Sequence, residues 1–131
     1  MSFLKSQKYK PTYPLETYEQ QDFVKYARSV LSAYRQPEHL LFAIPNEGVR
    51  NVRNASRMKA EGMTKGVPDL FLAIPMKGFH GLFIEMKRVK GSNISQEQKD
   101  FISDLKAQGY SCHICKGCEE AIKVFDWYFL Q

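Results

Sequence analysis

The chain has 131 residues, room for one hydrophobic core but not for two. Hydrophobic residues make up 44% and charged residues 25%, close to the averages of soluble globular domains, which excludes collagen-like, mucin-like and wholly disordered classes. Lys and Arg number 19 against 14 Asp and Glu, a formal net charge of +5 that suits a polyanionic partner without identifying one.

Residues 1–14 carry Lys5, Lys8, Lys10, Tyr9 and Tyr13 with no helical or strand periodicity, so an extended arm is expected ahead of a single domain over 15–131. The arm mixes lysine and tyrosine throughout and lacks the apolar stretch of a secretory leader. No apolar run reaches the roughly 18 residues of a membrane span, and a cytoplasmic protein with no membrane partner is expected.

From Glu16 to Tyr34, Phe23, Ala27, Val30, Leu31 and Tyr34 recur at steps of three and four between Pro14 and Pro37, which predicts an amphipathic helix. Leu40 to Ile44 reads as a short buried strand. Asn46-Glu47-Gly48 turns the chain, and Asn51 to Glu61 predicts a second helix capped by Gly62. Asp69 to Ile74 and Gly81 to Lys87, joined by residues 75–80, predict a β-hairpin. A third helix starts at Ser95 and ends at Gly109, a strand covers Tyr110 to Cys115, and a last helix runs from about Cys118 to Phe129. The order α-β-α-β-β-α-β-α predicts an α/β fold, a mixed β-sheet flanked by helices.

Cys112, Cys115 and Cys118 are spaced C-x2-C-x2-C, a spacing found at metal and cluster sites. Cys112 and Cys115 fall on a strand, however, where residues three apart project from opposite faces and cannot chelate one ion. Reduced cysteines acting as small apolar residues are expected.

The chemistry sits in the hairpin. On Gly81 to Lys87, Leu82, Ile84 and Met86 point one way while Phe83, Glu85 and Lys87 point the other. The connection at 75–80 puts Asp69 opposite the stretch from Glu85 to Lys87, and opposed side chains have Cβ atoms only about 4.5 to 5.5 Å apart. Two carboxylates that close repel, and one is driven to hold its proton unless a cation sits between them. A hard divalent ion such as Mg²⁺ or Mn²⁺ takes oxygen ligands of this kind. Lys87 then supplies a point charge for the attacking water or the phosphate oxygens of a phosphodiester. An ordinary Glu85–Lys87 surface salt bridge fits the same residues. Glu19, four positions before Phe23, adds a third acid on the helix face that packs on the sheet. Within Thr17-Tyr18-Glu19-Gln20 it also reads as a first-turn acid beside a capping box, and Glu16 competes for the role. Arg50, Arg53 and Arg57 recur at steps of three and four, and with Lys65 and Lys90 they form a candidate DNA-phosphate stripe or an ordinary solvated face.

Gly66-Val67-Pro68-Asp69, followed sixteen residues after the aspartate by Glu85-Met86-Lys87, resembles the PD-(D/E)XK nuclease signature. Glu19-Gln20-Gln21, Ile44-Pro45-Asn46-Glu47-Gly48, Arg57-Met58-Lys59-Ala60-Glu61-Gly62, Lys65-Gly66-Val67-Pro68-Asp69 and Ser95-x-x-Gln98-Lys99 resemble, more narrowly, the virus-type replication-repair nuclease (VRR-NUC) family over residues 15–125. The resemblance implies a restriction-endonuclease-like fold and a Mg²⁺- or Mn²⁺-dependent DNA endonuclease. Asp69, Glu85 and the backbone carbonyl of Met86 would hold metal, Lys87 would position water, and Glu19 would complete the site. Gln98 matches a position counted with that site, although Ser95-Gln96-Glu97-Gln98 is itself a capping box. Phage and bacterial relatives that resolve branched DNA imply four-way junctions as substrate, a bacterial or phage-infected host cell, and a homodimer to make two symmetric cuts. A restriction-type enzyme reading a base sequence and a non-catalytic nucleic-acid-binding module are the alternatives.

Overall fold

Phe23, Ala27 and Leu31 are buried at successive steps of four, so helix α1 (Glu16–Ala33) lays one apolar stripe on a sheet. The computed structural model describes residues 15–45 and 52–131. The arm at 1–14 and the turn at Asn46-Glu47-Gly48 lie outside the described residues. Leu15 is the N-cap of α1 and makes no side-chain cap, so the capping box expected from Thr17 does not form. Its other end closes with Arg35 at φ 58, Arg35 N–H donating to the Ser32 carbonyl at 3.0 Å and Gln36 N–H to that of Leu31 at 2.9 Å.

A 3₁₀ turn over Glu38–Leu40 leads into β1 (Leu41–Ala43). Helix α2 (Val52–Ala60) ends as expected on Gly62, whose φ of 108 accompanies bonds from Gly62 N–H to Lys59 and from Met63 N–H to Met58. Strands β2 (Leu70–Leu72) and β3 (Leu82–Lys87) form the predicted antiparallel hairpin, turning through Lys77 and Gly78, both at positive φ. Helix α3 (Gln96–Ala107), strand β4 (Ser111–Lys116) and helix α4 (Cys118–Leu130) follow. The sheet order is β1-β2-β3-β4, antiparallel except for the parallel β3–β4 pair. The predicted mixed α/β architecture is therefore the observed one, with the 3₁₀ turn added.

Leu41, Leu70, Leu72, Leu82, Ile84, Met86 and Cys115 pack from the sheet against Phe23, Ala27 and Leu31 of α1 and Ala121, Phe125 and Tyr128 of α4. Each large side chain in this layer contributes about 1.5 to 3 kcal/mol by leaving water. Tyr128 is wholly buried because its hydroxyl has partners, donating to the Ile74 carbonyl at 2.6 Å and accepting Met76 N–H at 3.1 Å. Core packing thus claims the centre of the terminal aromatic run, while Trp127 and Leu130 remain exposed. On the other sheet face Phe42, Phe71 and Phe83 line up across β1, β2 and β3, with Phe71 and Phe83 stacked at 4.2 Å between ring centroids. Glu85 and Lys87 continue that face of β3. Cys112 and Cys115 are buried thiols on alternate faces, and burial pushes both up to about 12. They are inert apolar residues, as the strand spacing requires.

Candidate active site

The β2–β3 register runs Leu70 opposite Ile84 and Phe71 opposite Phe83; one step further sets Asp69 against Glu85. Asp69 Oδ2 accepts the backbone N–H of Met86 at 2.8 Å, which ties the acid before β2 to the middle of the Glu85-Met86-Lys87 triplet. Pro68 is fully buried and fixes the backbone just before Asp69. Gly66, at φ +90, lies where a Cβ would come within 2.4 Å of the Glu97 carbonyl oxygen, so the loop entering Asp69 rests directly on the first turn of α3.

That contact brings Gln98 to the site. Ser95 Oγ accepts Gln98 N–H at 3.1 Å and the Gln98 side-chain oxygen accepts Ser95 N–H at 3.0 Å, the expected capping box. The amide nitrogen of the same side chain donates to Glu85 Oε2 at 3.1 Å. The two readings of Gln98 are compatible: its oxygen closes the helix cap while its nitrogen orients the carboxylate.

Lys87 Nζ lies 3.4 Å from Glu85 Oε2, and both side chains are almost fully buried. A pair in this setting is no exposed surface salt bridge, since desolvation makes each charge depend on the other. Burial raises Glu85 most, Asp69 raises it further, and Lys87 opposes both, leaving it pushed up to about 8. Among the described residues, Glu85 Oε1 is buried without a hydrogen-bond partner.

The third acid is Glu16. Oxygen atoms of Glu16, Asp69 and Glu85 all lie within 4.8 Å of one another. Glu19, expected there, is one turn further along α1, and its Oε2 accepts the backbone N–H of Cys118 at the start of α4. The physical reason is helical phase. Three residues turn the helix by about 300°, which swings Glu19 off the Glu16 direction and towards the positive end of α4. Glu16 stands seven residues before Phe23, so the core stripe continues through it, and that spacing is the signal in the sequence that favours it.

Only part of the predicted basic stripe falls among the described residues. Arg50 and the side chain of Arg53 lie outside them. Arg57 pairs with Glu61 at 3.6 Å on an open helix face, and Lys65 and Lys90 are exposed. A cleft of about 870 Å³ opens instead between α1 and the end of β1, with Glu16 and Asp69 among its lining residues.

A buried E-x-K strand, an aspartate locked to it from the neighbouring strand and a helix glutamate facing both define a nuclease domain of the PD-(D/E)XK kind. The VRR-NUC domain family matches residues 6–119, and the chain belongs to that family. A solved structure described as a VRR_NUC domain protein is similar at a TM-score of 0.74 with 25% sequence identity, covering 91% of this chain and 91% of that one. No curated protein matches the chain.

Proposed function

We propose that the chain is a Mg²⁺- or Mn²⁺-dependent endodeoxyribonuclease that hydrolyses phosphodiesters of branched DNA. The observation that carries this reading is the meeting of Glu16, Asp69 and Glu85 within 4.8 Å, with Lys87 beside Glu85. These residues fit a hard divalent ion. All offer carboxylate oxygen, the group such ions prefer, and the unpartnered Glu85 Oε1 is a costly burial that a cation would offset. Glu16, Asp69 and Glu85 would hold the ion with the Met86 carbonyl. Once bound, it supplies positive charge to the phosphoryl oxygens and acidity to a nearby water.

The remaining roles belong to the chain itself. Lys87 holds the attacking water and stabilises charge that builds on the phosphate, in a pocket where little solvent screens it. Gln98 keeps Glu85 in one orientation. Glu19 fixes α1 against α4, and so sets where Glu16 stands.

Four-way junctions are the substrate that the family resemblance implies. Two symmetric cuts need two sites, which an isologous dimer provides. No helix among the described residues is long and apolar enough to cross a membrane, and the reading places the enzyme on DNA in the cytoplasm. The test is a cleavage panel of linear duplex, flap and four-way DNA with Mg²⁺, Mn²⁺ and chelator in parallel. Metal-dependent cutting favouring branched forms is expected. Cutting of one linear sequence would make it a restriction-type enzyme, and binding without cutting would make it a non-catalytic module.

A further inference from the structure

The cleft along α1 begins at the carboxylates but does not end there. Gln21 and Arg28, seven residues apart, share one flank of the helix and line the cleft together with Pro45, while Lys25 stands on its lip. Seven residues return a helix to within about 20° of the starting direction, so this flank is a continuous stripe and not a chance scatter. The Arg28 guanidinium is fixed, Nε and Nη2 both donating to the Leu41 carbonyl at 3.3 and 2.8 Å. It thereby bolts α1 to the edge strand and holds the cleft open at a set width. Lys25 is exposed.

The charges lining the cleft have an order. Glu16 lies beside Asp69, and helix rise sets Lys25 and Arg28, which also line the cleft, about 13 to 18 Å further along α1. Acids alone would repel a nucleic-acid backbone; cations beyond them attract it, and any divalent ion at the acids tips the whole cleft positive. Along the helix axis Lys25 is about 13 Å from Glu16. A duplex strand rises about 3.4 Å per nucleotide, so this reach spans roughly four nucleotides.

We propose that the α1–β1 cleft seats the strand adjoining the scissile phosphate, with Lys25 neutralising one flanking phosphate within about four nucleotides of the cut. This deepens the nuclease reading above and rests on it. Lys25 binds substrate without taking part in the chemistry, and Arg28 is a positioning residue for the cleft wall.

The test uses the full chain and a fluorescein-labelled 25-base-pair duplex, chosen as a probe of backbone contact. Anisotropy titrations across a series of KCl concentrations compare wild type, Lys25→Ala and Lys123→Ala, the last removing an equal charge from the exposed face of α4. Lys25→Ala is expected to bind several-fold more weakly and to lower the log–log salt slope by about one, while Lys123→Ala does neither. On a cleaved substrate, Lys25→Ala raises KM with kcat held. Replacing single phosphates by neutral methylphosphonates locates the contact: one position reproduces the Lys25→Ala loss, and the two changes together cost no more than either alone. Equal effects of Lys25→Ala and Lys123→Ala, or no methylphosphonate position that couples to Lys25, overturn the inference while wild-type cleavage leaves the nuclease reading standing. Wild type that cleaves no DNA overturns both.

Discussion

Asp69 Oδ2 accepts the backbone N–H of Met86 at 2.8 Å, and this one bond sets the spacing of the site. It pins the aspartate carboxylate to the backbone of the strand that carries Glu85 and Lys87. A site built on strands in this way is positioned before substrate arrives.

Glu16 and Glu19 separate cleanly by experiment. Glu16→Ala is expected to lower cleavage by about 10²-fold or more, the scale for losing a preorganised charged group, with little change in Tm. Glu19→Ala removes the carboxylate that caps α4 and is expected to cost about 1 to 2 kcal/mol of stability. Urea denaturation and cleavage assays on both variants check this. Loss of activity confined to Glu19→Ala reverses the assignment.

Lys87→Ala is expected to reduce kcat by about 10²- to 10³-fold while DNA affinity stays within a few-fold of wild type. Lys87 acts where charge develops, so single-turnover cleavage with enzyme in excess reads the loss directly. Wild-type kcat in this variant removes Lys87 from the chemistry.

The buried Glu85 gives the metal-free protein a particular pH dependence. Its carboxyl is pushed up to about 8 from an ordinary 4.5, by burial first and by Asp69 second. The folded state therefore holds a proton that the unfolded state releases. This contribution to stability is fully present below about 4.5 and is lost as pH rises through about 8. In chelator, wild type is expected to lose up to a few kcal/mol across that window relative to Glu85→Gln. Urea titrations at about pH 5 and about pH 9, on either side of that window, measure the difference. Parallel curves for the two proteins contradict it.

Gly66→Ala is expected to damage fold and site together. Its positive φ disfavours a side chain, and the new Cβ would press on the Glu97 backbone at 2.4 Å. A loss of about 1 to 3 kcal/mol follows from the strain and the close contact. Because the contact seats α3, activity should fall further than the stability loss explains, through Gln98. A Tm and kcat equal to wild type would show that the loop and α3 move apart freely.

How much of this was legible in the sequence depends on the range of the interactions involved. The hairpin was readable because period-two alternation from Leu82 to Lys87 and the connection at 75–80 are local signals, and they carry Asp69, Glu85 and Lys87 to one face. The Ser95–Gln98 cap was readable for the same reason. Its second bond, to Glu85, was not, since it depends on Gly66 docking against α3 from thirty residues away. The helix acid stayed open between Glu19 and Glu16 for a tertiary reason as well. Glu19, four residues before Phe23, and Glu16, seven before it, both fit the core stripe locally, and the start of α4, about a hundred residues on, draws Glu19 away. The cleft was invisible because no local pattern in α1 marks Lys25 and Arg28 as a wall, which exists only once β1 is laid alongside them.

The most direct test of the account is Mn²⁺ binding followed by electron paramagnetic resonance, with wild type and Asp69→Asn titrated side by side. The account predicts saturable Mn²⁺ binding by wild type that Asp69→Asn weakens by about tenfold or more, together with loss of DNA cleavage. Equal binding by the two proteins, or wild-type cleavage that persists in chelator, would contradict it.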